Sequence, residues 1–143
     1  MTPDEIISLL DLEPHPEVVH YAETWRGADD HDGRAEGTAI YYLLRAGERS
    51  QWHRVDATEI WMFHAGGPLN LDMVAGDSPV ERSVLGPDIA GGERPQLVVP
   101  AGAWQSAIPL GSWTLVSCTV TPGFTFDGFE LAPQGWTPGS PVR

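Results

Sequence analysis

Lysine is absent from this chain: all 8 basic residues are arginines, set against 20 acidic residues for a net charge of −12. Schiff-base and lysine-base mechanisms are therefore excluded. The same acidic balance argues against nucleic acid or an anionic membrane surface as partner. Cysteine is scarce too. Cys118 stands alone, so no intrachain disulfide is possible and a reducing compartment is the simpler expectation. Lying mid-strand in Val116–Val120 with no base beside it, its thiol reads as a small buried hydrophobe. Long apolar runs are missing, and nothing approaches the roughly 20 residues of a membrane helix. The opening MTPDEIISLL lacks the basic segment and the apolar length of a secretory signal. A soluble, cytoplasmic protein is expected.

Turn formers, by contrast, are plentiful: 16 Gly and 13 Pro are spread along 143 residues. That spacing predicts one all-β domain of short strands, a sandwich or barrel, with no internal repeat or linker. Thr2-Pro3-Asp4-Glu5 is a capping box with proline at the first helical position, predicting a short helix within residues 1–13. Pro14 and Pro16 end it, and His15 between them reads as a structural turn residue. Strands are predicted at 18–25, 37–45, 68–74, 80–85, 96–99, 103–108 and 113–121, on β-branched and aromatic content. The run 37–45, nearly apolar throughout, reads as buried on both faces or close to it. The tail over 132–143 reads as loose.

The informative stretch is Gly47–Gly66, GERSQWHRVDATEIWMFHAG. Residues two apart on a strand share a face, so Gln51 and His53 are predicted to point together. Glu59, Trp61 and Phe63 share a face of a second strand by the same rule. Two strands each carrying ligand-capable groups is how a β-barrel builds a site in its mouth. His64, with parity opposite to Glu59, is expected outside or in a subunit contact. His31 lies in the acidic loop Asp29–Asp32 and reads as solvated.

The frame Gln51-Trp52-His53, Glu59, Gly66 and the later Pro100-Ala101-Gly102-Ala103-Trp104-Gln105 together resemble the two motifs of the cupins. The surrounding wording, including Trp52-His53-Arg54, Glu59-Ile60-Trp61 and Val99-Pro100-Ala101-Gly102, is similar to one cupin group in particular. That is the uncharacterised single-domain group related to sugar-nucleotide epimerase-type (RmlC-like) cupins. The likeness runs from Pro3 to about Leu131. It implies a single jelly-roll β-barrel over 1–143 with a short N-terminal helix, and a homodimer joined through edge strands. The chain departs from the pattern where Gln51 replaces the first histidine of the pair and Gln105 the second-motif histidine. Five residues, rather than three or four, separate His53 from Glu59.

Three functions follow from these residues. The first is acid–base chemistry on a small carbonyl compound, of isomerase, epimerase or lyase type, with no cofactor. A carboxylate in an apolar mouth lined by Trp61, Phe63 and Trp52 or Trp104 should titrate nearer neutrality, and His53 would be its partner. Gln51 and Gln105 would orient the carbonyl. Tyr21 and Glu23 would complete the opposite wall, with Tyr21 a proton donor, or His20 and Ala22 if the register slips by one. His20 is then either a base or a solvated outer residue. The second is a divalent-metal enzyme, an oxygenase or lyase, using His53, Glu59, Gln51 and Gln105 with His20 recruited; amide oxygens suit zinc or iron poorly. The third is a ligand-binding barrel without turnover.

Overall fold

The structure, a computed structural model, describes residues 1–15 and 19–139. Val18 and residues 140–143, the first residue of one predicted strand and the end of the tail, lie outside the described residues. The helix α1 spans Pro3–Leu9. The expected box caps it: Thr2 Oγ1 accepts from Glu5 N at 3.2 Å, and Glu5 Oε2 accepts from Thr2 N at 3.4 Å. Ile6 is its buried residue, packed with Leu12 and Leu43 against the outside of a sheet.

Among the described residues eleven strands follow: β1 (Glu13–Pro14), β2 (His20–Arg26), β3 (Thr38–Arg45), β4 (Ser50–Val55), β5 (Thr58–Gly66) and β6 (Leu69–Val74), then β7 (Glu81–Leu85), β8 (Gln96–Val99), β9 (Trp104–Pro109), β10 (Trp113–Thr121) and β11 (Phe129–Leu131). They form two antiparallel sheets, ordered β1-β2-β3-β10-β5-β8 and β11-β4-β9-β6-β7. Among the described residues this is an all-β barrel with one short helix, as turn spacing, the capping box and the cupin resemblance led us to expect. Gly66 ends β5 with φ of +86°, where a Cβ would also collide with the Trp113 carbonyl, so the turn into β6 needs glycine. The run in β3 is close to buried on both faces, as expected: Thr38, Ile40, Tyr42 and Leu44 turn inward, Leu43 is fully buried beneath α1 on the outer face, and no residue of the strand is exposed.

The interior between the sheets is filled at one end and hollow at the other. Leu44, Leu69, Leu71, Leu85, Ala107 and Val116 pack the filled end, each with no exposed surface. Burying a leucine is worth about 1.5–3 kcal/mol, so this cluster carries much of the stability of the pairing. Toward the other end of the same strands the inward side chains become Thr38, Ile40, His53, Glu59, Cys118 and Val120, and the packing opens into a cavity.

The tail is anchored through Trp136, although most of that residue's neighbours are exposed. Trp136 packs on the outside of the five-stranded sheet, its ring 4.6 Å from Trp104 and 6.1 Å from Trp52. No described helix is long and apolar enough to cross a membrane.

Candidate functional site

The cavity has a volume of about 120 Å³ and lies between the sheets, bounded at its inner end by Trp61. Glu59 and His53 reach it from opposite sheets, on β5 and β4, and they are only 7 % and 5 % exposed. Glu59 is held from behind. Gln105 Nε2 donates to its Oε1 at 2.6 Å, and Trp61 Nε1 donates to Gln105 Oε1 at 2.8 Å. An indole N–H can only donate, so it fixes the amide with its oxygen toward Trp61 and its NH2 toward the carboxylate. Parity explains the pairing: Glu59 and Trp61 are two apart on β5, and both face Gln105 across the interior.

His53 is fixed as firmly. Its Nδ1 lies 2.7 Å from the carbonyl oxygen of Gln51, which can only accept, so Nδ1 carries a proton and Nε2 is the basic nitrogen of the neutral ring. The Gln51 side chain goes elsewhere. A β-bulge between Ser50 and His53, opposite Ala107 and Gln105, places one extra residue in β4. Gln51 and Trp52 both turn outward, into a groove with Trp136, while Ser50 and His53 turn inward. The expectation that Gln51 and His53 share a face fails for that reason.

Tyr21 and Glu23 line the cavity from β2, in the unslipped register: Tyr21 pairs with Tyr42, and Glu23 with Ile40. His20 therefore turns the other way, between Pro14 and Leu43, and lies outside the cavity. Trp61 lines it as expected. Phe63 does not; it packs against the filled end. Trp52 and Trp104 are outside the barrel, with the Arg54 guanidinium 4.6 Å from the Trp104 ring. His64 faces outward, bonded to Ser117 Oγ at 2.5 Å.

Three parts of the site escaped the sequence reading. His15 sits in the cavity, its ring 4.9 Å from Tyr21, because β1 pairs with β2 and carries it there. Tyr42 lines the wall, its hydroxyl donating to Ser50 Oγ at 3.0 Å. Phe124, Phe126 and Phe129 close the mouth from the segment after β10. That segment is strapped down. Arg34 Nε donates to the Gly123 carbonyl at 2.8 Å while its other nitrogens grip Asp56 at 2.7 and 3.1 Å. Gly123 comes so close to Ala35 that a Cβ would stand 2.9 Å from the alanine methyl. Hydrogen bonding to Arg34 holds the Asp56 carboxyl below its ordinary range. At the rim Arg26 pairs with Glu23 at 2.7 Å and donates to the Phe124 carbonyl at 3.3 Å.

The four residues expected to hold a metal do not fit one as a set. Gln51 is outside, and Gln105 presents N–H groups where a cation needs lone pairs. Among the described residues no group of three or more His, Cys, Asp or Glu side chains is arranged to hold an ion.

A family model described as Cupin superfamily (DUF985) matches residues 4–132. The chain belongs to that family. Among solved structures, this cupin is similar to a Shewanella oneidensis protein at 41 % identity, covering 94 % of this chain and 86 % of that one, with a TM-score of 0.89. It is also similar to a hypothetical protein from Leishmania major, at 33 % identity, 91 % and 86 % coverage and a TM-score of 0.83. Oxalate decarboxylase from Bacillus subtilis aligns at 13 % identity over 85 % of this chain and 30 % of its own, with a TM-score of 0.64. That likeness is one of fold alone. No curated protein matches the chain.

Proposed function

We propose that this cupin catalyses proton transfer at a carbon next to a carbonyl group, of the kind used in epimerisation or tautomerisation. The observation that carries the reading is the hydrogen-bonded line from Trp61 through Gln105 to Glu59, which aims a buried carboxylate into a cavity that His53 also enters. A carboxylate whose Oε1 is occupied by an amide N–H keeps a fixed orientation, which general acid–base catalysis needs. In the reaction Glu59 removes the α-proton through Oε2, and the electron pair moves onto the carbonyl oxygen. The Tyr21 hydroxyl donates to that oxygen. His53 is the second proton station, acting through Nε2 while Nδ1–H stays on the Gln51 carbonyl. Return of the proton to the same carbon from the other side gives the epimer; return elsewhere gives the tautomer.

The test is exchange of α-protons for deuterium in D2O, followed by NMR over a panel of small cyclic and acyclic ketones. Glu59→Gln is expected to slow exchange by about 10²- to 10⁴-fold, the usual contribution of a positioned acid–base group. Exchange that survives this substitution in folded protein would sink the reading and leave a binding barrel.

A further inference from the structure

We infer that the ligand of this cavity is a planar, ring-sized carbonyl compound that carries no negative charge, and so is neither a carboxylic acid nor a sugar nucleotide. The identity of the ligand as a carbonyl compound rests on the proton-transfer reading; its size and charge rest on the cavity alone. A 150 Å³ apolar cavity admits about one benzene ring, and the volume here, about 120 Å³, is of that order. Its lining suits an aromatic or other flat ring, which packs on ring edges and faces alike. Trp61 and Tyr42 meet edge to face at 5.6 Å toward the inner end, and Phe124 and Phe129 stand 5.6 Å apart at the mouth, so aromatic rings line it at both ends.

Charge narrows the class further. Glu59 stands deep in the cavity and Glu23 at its rim. Among the described lining residues Arg26 is the one arginine, and it is already engaged by Glu23 and the Phe124 carbonyl. Forked guanidinium contacts and helix N-termini are the strong sites for a diphosphate or carboxylate, and this cavity presents no helix and no second arginine, only the imidazoles of His15 and His53. An anion would also approach a buried carboxylate at low dielectric, inside a chain of net charge −12. A neutral ring meets none of these costs, and an N–H or O–H on it finds an acceptor in Glu59.

The experiment compares probes of one shape and different charge on the intact protein. Benzamide and benzoate, with a uridine diphosphate sugar as third probe, are titrated while the indole N–H resonance of Trp61 is followed by NMR. That proton reports the cavity because it is bonded to Gln105. Benzamide is expected to shift it and to bind at least about tenfold more tightly than benzoate, with no shift from the nucleotide sugar. In Glu59→Gln, benzoate should approach benzamide. Benzoate or the nucleotide sugar binding as tightly as benzamide overturns the charge argument, and silence from all three overturns the size argument. Tight benzamide binding without any ketone exchange would instead remove the proton-transfer reading and leave this inference standing.

Discussion

The two ends of the barrel interior are built from the same strands, yet one is solid and the other hollow. On β3 the inward positions run Thr38, Ile40, Tyr42, Leu44; on β5 they run Glu59, Trp61, Phe63; on β10 they run Val120, Cys118, Val116. In each case the last residue packs in the filled end and those before it line the cavity. Backbone pairing continues through both ends, so strand geometry does not make the hollow; side-chain size and polarity at alternate positions do. Trp61 is the partition. Its ring closes the filled end, and its N–H serves the Gln105–Glu59 line of the other. The lesson is that stability and chemistry can be assigned to different ends of one sandwich, with a single residue belonging to both.

That division can be broken by substitution. Leu71→Ala, in the filled end, should lower unfolding stability by about 2–5 kcal/mol in urea titrations. Ketone exchange per folded molecule should stay unchanged; a matching loss of exchange would show the two ends to be coupled. Trp61→Phe should affect both. It leaves Gln105 Oε1 buried without its donor, at a cost of about 1–3 kcal/mol, and frees the amide to turn away from Glu59. Full exchange activity in a destabilised Trp61→Phe protein would refute the role given to the amide.

Weaker effects sharpen the picture at the mouth. Asp56 has a lowered carboxyl pKa in the folded protein, so its bond to Arg34 adds stability above the ordinary carboxylate value near 3.8. This is lost as pH falls through the lower folded value. The Asp56 side chain is half exposed, which limits the contribution to less than about 1 kcal/mol. Comparing acid titrations of stability for wild type and Asp56→Asn should show that difference at neutral pH and its disappearance in strong acid. Gln51→Ala should do least: exchange within about twofold of wild type, since that side chain lies outside the barrel. A large loss would mean that the cavity reaches further than its described lining.

Much of the fold could be read before any coordinates. Capping residues marked α1, and β-branched content marked most strands, because both signals are local. Parity rules also put Glu59 and Trp61 together inside, and Tyr21 with Glu23. They failed at Gln51 because a bulge adds a residue without a sequence marker. Trp52 could have been placed outside from its position next to His53. His15 was hidden because a proline on each side looks like a turn, whereas an edge strand as short as β1 tolerates Pro14. The phenylalanines at 124, 126 and 129 were hidden for a different reason: their segment is held by partners far away in the chain, Arg34 donating to the Gly123 carbonyl, Phe124 N donating to Thr38 Oγ1, and Phe129 pairing with Val55.

The irregularity in β4 has a consequence for chain length. Ser50 and His53 already point into the barrel with Trp52 outside, which is the arrangement an unbroken strand would have if it were one residue shorter. Gln51 is thus supernumerary to the ladder. Its deletion would straighten the strand and leave its neighbours on the sides they now occupy, so this is a place where relatives of different length can share one interior.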